Sequence, residues 1–532
     1  MTSKQPNVLV IMTDEERYAP AYESDEIREF RLERMPVRAA LSARGVEFAR
    51  HYTASTACLP SRASLFTGQY PSLHGVRNTD GMAKTATDPA MNWLDPDSVP
   101  TMGDWFRAAG YETHYRGKWH ISHAEMTVTG THEPFLTNTR SGEVIHDAVE
   151  AYRKADRLDP FGFSGWIGPE PHGPLPANTG LVRDGLFAEQ VTELFDALGD
   201  RGADSPPWLA VASFVNPHDI AFSGMGWNAL GFGPIPDWVP EIPEAPSQAD
   251  SLEDRPACQR QFREAWPKML YPQEPDGEYR RLYYYLLALV DEAMGRILDS
   301  LERNGLAEDT IVVFTSDHGD LLGAHGGLVQ KWYNAYEEAV HVPLVVAGPG
   351  IGAGSGDSVE VPTSHVDLLP TLLELIGGDV DALAEEVSRS HVETRRLVGT
   401  SRAHLLNGPV GAESDPDPIY FMTEDHMTRG LRQRGILTGE EYETVQTPCA
   451  VESVIAEIDG AVWKLNHYYD PDSGPTDDTT EHAWELYDLV SDPEERTDRG
   501  GDPTVPLGEL HAMLAEHRLA KRLEPAERLT RG

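Results

Sequence analysis

The sequence predicts an α/β fold: a large, mostly parallel mixed sheet sandwiched by helices, followed by a smaller C-terminal domain of antiparallel sheet plus helix. Short apolar runs rich in β-branched residues alternate with helical patterns along most of the chain, which favours a parallel sheet covered on both faces. Beyond about Gly411 apolar and polar residues alternate instead, as in antiparallel strands. The length of 532 residues also exceeds what one hydrophobic core usually organises. We therefore predict a large domain at residues 1–410 and a C-terminal subdomain at residues 411–532.

Each strand of the large sheet is predicted from a short, nearly all-apolar run. These runs are residues 8–12, 208–215, 310–315 and 342–347. Helical spacing predicts a helix over residues 279–304, and Gly305 stands where a C-terminal stop is expected. A second helix is predicted over residues 367–375, entered through Ser364. The C-terminal strands are predicted at residues 419–423, 452–458, 462–467 and 484–489, with a closing helix at 507–521.

Two segments predict long insertions over the sheet, because they are rich in Gly, Pro or Trp. They are residues 136–180 and 229–256. Such insertions commonly shape a pocket. The aromatic residues between Phe161 and His172 either line that pocket or belong to the core.

The net charge of −42 excludes several classes of partner. So acidic a surface repels nucleic acid and anionic lipid, and we expect neither as a partner. The chain has no apolar stretch as long as a membrane span, no signal-peptide pattern at its start and only three cysteines, so we expect a cytoplasmic protein without disulfides. If the substrate is an anion, the site must be a local island of positive charge.

Cys58 is the first candidate for chemistry, because it precedes a predicted short helix. Pro60 suits the first turn of that helix and Gly68 suits its end. Free N–H groups and the positive end of the helix dipole would face Cys58, and Arg62 lies one turn further on. These features predict an acidified, reactive cysteine.

A candidate metal site follows two of the predicted strands. Asp14 and Glu15 end one apolar run, and Asp317 and His318 end another. The carboxyl ends of parallel strands meet at one edge of a sheet, so these side chains should converge. Three carboxylates and an imidazole form a hard, mostly oxygen donor set for one divalent metal.

Several motifs, in order along the chain, resemble those of the formylglycine-dependent (type I) sulfatase family of the alkaline phosphatase superfamily. They are Asp14-Glu15 and residues 58–62 (Cys-Leu-Pro-Ser-Arg), 110–120, 216–218, 315–319, 326–338 and 485–494. The resemblance implies that a formylglycine-generating enzyme oxidises Cys58 to an aldehyde. One hydroxyl of the aldehyde hydrate would attack sulfur, and the other would expel sulfate by re-forming the carbonyl. A plain thiol that accepted the sulfate group would have no second hydroxyl with which to expel it.

The resemblance also implies a role for each residue. Lys118 and His120 would hold the aldehyde hydrate, with His120 as the base that collapses the sulfated intermediate. His218 and Lys331 would contact the ester and protonate the leaving oxygen. The metal would be calcium, with manganese or magnesium as alternatives because histidine is a less typical calcium ligand. Glu15 departs from the family, which has Asp, Asn or Gln at this position.

Arg62, Asn78 and His325 complete the candidate site. Arg62 is expected to orient the modified side chain. Asn78 either donates to a substrate oxygen or belongs to a turn, because Asn-Thr-Asp-Gly is a turn pattern. His325 either lines the pocket or caps a loop. Cys258 and Cys449 lie near no motif and are expected to be incidental thiols.

The expected activity is hydrolysis of small-molecule sulfate monoesters, preferentially aryl sulfates, by a catalytic domain at residues 1–410. One alternative is a phosphonate monoester or phosphodiester hydrolase with the same site. Another is a metal-containing binding protein in which Cys58 stays unmodified. An alkaline-phosphatase-like enzyme using Ser61 or Ser64 is disfavoured, because the sequence offers ligands for one metal. A homo-oligomer is expected by the same resemblance.

Overall fold

The computed structural model describes residues 5–171, 175–202, 204–352, 357–406 and 417–526. In the first part of the chain the strands are β1 (Asn7–Asp14), β2 (Val46–Phe48), β3 (His51–Tyr52), β4 (Glu112–Gly117), β5 (Trp208–Pro217), β6 (Thr310–Ser316), β7 (Leu344–Ala347), β8 (Asp357–Val359) and β9 (Thr363–Ser364). The predicted boundary between residues 410 and 411 lies outside the described residues.

Seven of these strands form the large sheet in the order β4-β5-β1-β6-β7-β2-β8. Strand β1 pairs in parallel with β5 and with β6, so that Val8 faces Leu209 on one side and Ile311 on the other. Strand β7 pairs antiparallel with both of its neighbours. Strands β3 and β9 form a separate two-stranded sheet. The sheet is therefore mixed but mostly parallel, as predicted.

Helices cover both faces of the large sheet. In chain order, the helices of the described residues are α1 (Asp25–Arg34), α2 (Pro36–Arg44), α3 (Cys58–Thr67), α4 (Pro71–His74), α5 (Met102–Ala108), α6 (His146–Ala155), α7 (Gly180–Gly199), α8 (Met225–Leu230), α9 (Ala257–Met269), α10 (Gly277–Arg303), α11 (Ala324–Gly327), α12 (Glu337–Val340), α13 (His365–Leu375), α14 (Val380–Val387), α15 (Ala403–Leu406) and α16 (Leu507–Lys521). One core cluster packs α7 and α10 on the sheet, and another packs α3, α5 and α13 on its opposite face.

The two predicted helices of the large domain are confirmed, and each is capped at its start, α13 by the predicted Ser364. The side chain of Asp276 caps α10 by accepting a hydrogen bond from Tyr279 N. Ser364 forms a capping box with Asp367 at the start of α13. These caps satisfy N–H groups that a helix leaves free at its start.

The C-terminal part forms a four-stranded antiparallel sheet, as predicted. Its strands, in spatial order, are β10 (Ile419–Thr423), β11 (Ala450–Ile458), β12 (Ala461–Tyr469) and β13 (Ala483–Asp488). Leu510 and Leu514 of α16 pack against Tyr420 and Val454 in a separate core cluster. No helix within the described ranges is both long and apolar enough to cross a membrane.

The first predicted insertion contributes to the core. Phe161, Phe163 and Trp166 are buried in the cluster beneath α3 and α5, and α6 lies within the same segment. His172 lies outside the described residues. The structure therefore supports the core role for the described aromatic residues. The sequence could not decide between the two roles, because composition does not distinguish a buried aromatic ring from one that lines a pocket.

Candidate active site

The candidate active site lies at the carboxyl ends of neighbouring strands of the large sheet. Asp14 is the last residue of β1, Asp317 follows β6, and His218 follows β5. Lys118 and His120 follow β4, the next strand beyond β5. The parallel arrangement therefore brings together residues from distant parts of the sequence, in agreement with the convergence that the sequence predicts.

Cys58 faces this edge from the first turn of α3. Its Sγ lies 3.8 Å from Asp14 Oδ1 and 3.1 Å from His318 Nε2. Helix α3 begins at Cys58 itself, and Gly68 ends it with a left-handed φ of 64°, as predicted. Burial and the charge of Asp14 raise the pKa of the thiol to about 12. The prediction of an acidified cysteine is therefore wrong, because the sequence does not reveal how deeply Cys58 is buried.

Arg62 joins the two acidic strand ends from within the core. Its Nη2 donates to Asp14 Oδ2 and its Nε to Asp317 Oδ2, each at 2.8 Å, and all three side chains are fully buried. Its Nη1 also donates to the Lys118 carbonyl at 2.8 Å and to Ser213 Oγ at 2.9 Å. Burial opposes the charge on Asp14, but Lys118 and Arg62 outweigh it and hold the pKa of Asp14 well below its usual range.

Four buried side chains form the candidate metal centre, with ligand atoms all within 4.8 Å of one another. They are Asp14, Cys58, Asp317 and His318. Burial and the charge of Asp14 raise the pKa of Asp317 to about 7. A cation would relieve the repulsion between these two carboxylates. Two carboxylates and an imidazole are donors that suit a hard divalent metal, so the residues present fit such an ion.

Glu15 lies outside this group of four. Its backbone has a left-handed φ of 72°, and Lys331 Nζ lies 3.0 Å from Glu15 Oε2. Its ligand atom is close to those of Asp14 and His218 instead. Burial raises the pKa of Glu15 well above its usual range despite the attraction of Lys331. The structure thus clusters Asp14 with Asp317 and His318, while Glu15 pairs with Lys331.

Two lysines supply a local positive charge in this acidic chain. Lys118 Nζ lies 2.7 Å from Asp14 Oδ2, and Lys331 Nζ lies 4.9 Å above the ring of Trp332. Burial opposes the charge of each lysine, but neighbouring carboxylates outweigh it and raise the pKa of both. Burial and the charge of Lys118 lower the pKa of His218 well below its usual range, so this imidazole is neutral.

His120 is held in a constrained position by two acids that sequence reasoning missed. Its φ is 53°, a left-handed value that costs free energy outside glycine. Glu170 accepts the backbone N–H groups of Trp119 at 3.2 Å and of His120 at 2.8 Å. The ring Nε2 of His120 lies 3.0 Å from Asp80 Oδ1. Asp80 belongs to the Asn-Thr-Asp-Gly turn pattern. A turn alone accounts for an Asp at this position, so nothing in the sequence indicated its contact with His120.

These side chains line one end of a cavity of about 480 Å³. Its charged and reactive lining residues are Cys58, Asp80, Lys118, His120, Arg140, His218 and Lys331. Large apolar and aromatic side chains form much of the remaining wall: Met82, Phe222, Leu230, Trp266, Tyr271 and Trp332, joined by Met427, Ile436 and Leu437 of the C-terminal part. The cavity therefore combines a cationic floor with an apolar mouth.

The structure does not place Asn78 or His325 among the residues that line this cavity. Asn78 Nδ2 donates to the Ala90 carbonyl at 3.1 Å, and its Oδ1 accepts from His426 N at 3.4 Å. His325 is buried, with its Nε2 3.0 Å from Glu338 Oε2. The substrate-binding assignments of these two residues are corrected accordingly: both side chains hold loops together.

The hydroxyl groups near Cys58 have structural partners. Ser61 Oγ donates to the Asp317 carbonyl, and Ser64 Oγ donates to the Pro60 carbonyl at 2.8 Å. Neither serine is among the residues that line the cavity. These contacts give no support to a serine nucleophile. Cys258 and Cys449 are buried free thiols that also lie away from the cavity lining.

Comparisons with known proteins find one family, related sequences and a shared fold. The Sulfatase family model matches residues 6–378 of the chain. The chain is 28% identical over 383 residues to the uncharacterized sulfatase YidJ of Escherichia coli, which covers 70% of this chain and 68% of that protein. It is 29% identical over 385 residues to the choline-sulfatase of Rhizobium meliloti, with 71% and 69% covered. The structure of a phosphonate monoester hydrolase from Silicibacter pomeroyi shares the fold with a TM-score of 0.62 and 21% identity, covering 97% of this chain and 96% of that chain.

Proposed function

Because the chain belongs to the sulfatase family and is a sulfuric ester hydrolase, we propose that it cleaves sulfate monoesters with a formylglycine nucleophile made from Cys58. One observation carries the proposal. The first residue of α3 lies against Asp14 and His318, on the floor of a cavity that Lys118 and Lys331 also line. This arrangement presents a nucleophile and positive charge to the same anionic group.

Modification of Cys58 accounts for chemistry that its thiol cannot perform. With a pKa of about 12 the thiol stays protonated at neutral pH. A generating enzyme would oxidise the side chain from CH₂SH to CHO, and water would add to give a geminal diol. The family implies this conversion, and the location of Cys58 within the site supports it.

Asp14, Asp317 and His318 would hold the divalent metal. When bound, such an ion acts as a Lewis acid that polarises a sulfate oxygen and favours ionisation of the attacking hydroxyl. Calcium is the proposed ion, and the imidazole of His318 keeps manganese and magnesium as alternatives.

The remaining residues would bind the sulfate group and move protons. Lys118 and Lys331 offset the negative charge of the ester and its transition state. One diol hydroxyl loses its proton to solvent and attacks sulfur while the sulfur–oxygen bond to the alcohol breaks. The leaving oxygen takes a proton from the Lys331 ammonium, and the neutral imidazole of His218 would contact the ester. His120, held by Asp80, then accepts a proton from the second hydroxyl. The carbonyl re-forms and the carbon–oxygen bond to sulfate breaks.

The apolar mouth of the cavity supports an aryl or otherwise apolar alcohol as the leaving group. A site binds such an alcohol by removing carbon surface from water, and aromatic walls suit this purpose. Location in the cytoplasm and assembly into a homo-oligomer stay predictions.

A phosphonate monoester or phosphodiester hydrolase is the second candidate function, because the phosphonate monoester hydrolase above shares the fold. The pair Lys118 and His120 favours sulfate esters. The test compares kcat/KM for an aryl sulfate with that for the matching aryl phosphonate, using metal-loaded protein of measured formylglycine content. We expect the sulfate to be the better substrate, and faster phosphonate cleavage would reverse the assignment.

A binding protein without turnover is the remaining alternative. An unmodified mass of the protein from its native host, together with no ester hydrolysis, would support it.

A further inference from the structure

The connection between β10 and β11 is far longer than a hairpin needs. It comprises residues 424–449, whereas the next hairpin turns with Asp459 and Gly460 alone. Long connections with little secondary structure are uncommon in compact domains and usually have a function. This connection extends from the C-terminal sheet to the mouth of the active-site cavity, where it supplies Met427, Ile436 and Leu437.

Part of the connection, residues 434–441, forms a small hairpin that we call the finger. Its ends pair through Arg434 and Glu441, and Gly435 N donates to the Glu440 carbonyl at 2.8 Å. The finger docks on the end of α9, where Ile436 N donates to the Met269 carbonyl at 3.0 Å. Backbone contacts therefore fix its position and leave its apolar side chains available.

The close approach of the finger to α9 depends on a glycine. A Cβ atom at Gly435 would lie only 1.9 Å from the Lys268 carbonyl oxygen. The Thr438 hydroxyl donates to the same carbonyl at 2.6 Å. The finger and the end of α9, which carries Trp266, thus form one continuous wall of the cavity.

The apolar side chains of the finger are exposed where they meet the cavity. Ile436 is 37% and Leu437 is 54% exposed, whereas Cys58 on the floor is 2% exposed. Scattered exposed apolar residues are normal, but these two adjoin further apolar residues in the same cavity. A ligand that spans from floor to mouth would remove their carbon surface from water.

The aromatic walls near the finger present carbon rather than hydrogen-bonding groups. Trp332 Nε1 donates to Asp425 Oδ2 at 2.9 Å, and Trp266 Nε1 donates to Gln273 Oε1 at 2.8 Å. The Tyr271 hydroxyl donates to the Ser223 carbonyl at 3.0 Å. Each indole has a single N–H, so a ligand meets only its ring surface. A leaving group rich in hydroxyls would lose its bonds to water here without replacement.

We propose that the finger forms an outer leaving-group subsite that selects sulfate esters whose alcohol carries an extended apolar chain. The inference rests on the proposed sulfate ester hydrolysis at the cavity floor. Ile436 and Leu437 are its specificity-determining residues, and they act on substrate length rather than on the cleavage step.

The test uses 4-alkylphenyl sulfates of increasing chain length, because their phenol leaving groups have nearly equal acidity. We expect kcat/KM of the wild-type protein to rise by up to about fourfold per methylene that the subsite buries. In Leu437→Ser and Ile436→Ser the gain should shrink, with about a tenfold loss for the longest substrate and a much smaller loss for phenyl sulfate. Gly435→Ala, which displaces the finger without altering these side chains, should flatten the same dependence.

Leu431→Ser is the matched control, because Leu431 belongs to the same connection and is 78% exposed but does not line the cavity. It should keep the wild-type dependence on chain length. The inference is overturned if all 4-alkylphenyl sulfates react alike, if a hexosamine sulfate reacts faster than the longest of them, or if the finger variants slow phenyl sulfate equally. Failure of the wild-type protein to cleave any sulfate ester would instead overturn the proposed function.

Discussion

The contact between Asp80 and the ring of His120 controls the residue proposed to accept the proton from the diol. The carboxylate fixes the ring of His120, and the left-handed backbone of His120 is held by Glu170. Asp80 is therefore a positioning residue that acts through His120. Its side chain could not be assigned from sequence, because the turn pattern around it is satisfied by backbone geometry alone.

Asp80→Asn should keep the size of the side chain but remove the charge that favours proton acceptance by His120. We expect kcat and KM to fall together by about tenfold to a hundredfold, with kcat/KM nearly unchanged, because only the second step is slowed. The sulfated form of the protein should accumulate, because its collapse needs the base. Rapid-quench kinetics with intact-mass detection would measure this as a burst of alcohol followed by slow turnover. An unchanged kcat without a burst would remove Asp80 from the mechanism.

The neighbours of the Glu15 carboxylate and the pKa of the Cys58 thiol could not be predicted from the sequence. The sequence groups Glu15 with Asp14, Asp317 and His318. In the structure its carboxylate lies near Asp14 and His218 and 3.0 Å from Lys331 Nζ instead of joining Asp317 and His318. Helix-end electrostatics suggested an acidic thiol, but burial and Asp14 reverse the direction of the pKa shift. In both residues the decisive quantity is three-dimensional and has no counterpart in local sequence.

At the scale of elements, Gly117 fixes the end of β4 against β5 and so positions Lys118. Its φ is 102°, and a Cβ atom there would lie 1.8 Å from the Ser213 carbonyl oxygen. Gly117→Ala should displace the segment that carries Lys118 and His120. We expect kcat/KM to fall by about a hundredfold, since a shift of about 1 Å is enough for such a loss.

Gly110→Ala is the control for this prediction. Gly110 also has a positive φ, 87°, but no atom lies within 4 Å of a Cβ placed there. It should cost only about 1 to 2 kcal/mol of stability and leave kcat/KM unchanged. Equal activity losses in the two variants would show that general strain, and not the position of β4, is responsible.

Glu495 links the C-terminal sheet to α12 through a buried ion network. Its Oε1 lies 2.8 Å from Lys464 Nζ, and its Oε2 accepts from Glu337 N at 2.6 Å. Burial raises the pKa of Glu495 to about 8 despite Lys464, and the charge of Glu337 adds to the shift. The folded state thus holds this proton more tightly than the unfolded chain, where the ordinary pKa is 4.5.

The resulting stability is fully present below pH 4.5 and is lost as the pH rises through about 8. Glu495→Gln should therefore flatten the fall in unfolding free energy between those values, as measured by urea unfolding across the range. The exposed Glu457→Gln serves as control and should keep the wild-type slope. A slope that is equally steep in Glu495→Gln would contradict this role of the network.

At the scale of the whole molecule, the fold class and the location of the site followed from sequence because parallel strands deliver their ends to one edge. The predicted strands and helices correspond closely to β1, β5, β6, α10 and α13. The C-terminal sheet was predicted, but its finger was not. The finger is several hundred residues away from Cys58 in the sequence but lines the same cavity. Neither hydrophobic periodicity nor a sequence motif predicts a contact between such distant segments. The core role of Phe161 and Trp166 was likewise hidden by composition.

The protein is strongly acidic overall, whereas the floor of its active-site cavity is positively charged. The chain carries a net charge of −42, yet Arg62, Lys118 and Lys331 surround the reactive residue. Buried positive charge is screened little by solvent, so it can bind an anion that the outer surface repels.

If formylglycine made from Cys58 is the nucleophile, turnover must depend on how much of the protein carries it. Preparations with different degrees of Cys58 conversion, quantified by mass spectrometry of the peptide containing residue 58, would be assayed on one aryl sulfate with saturating metal. Turnover per molecule should rise in proportion to conversion and should be absent from folded Cys58→Ala. Undiminished turnover in unconverted protein or in Cys58→Ala would contradict it.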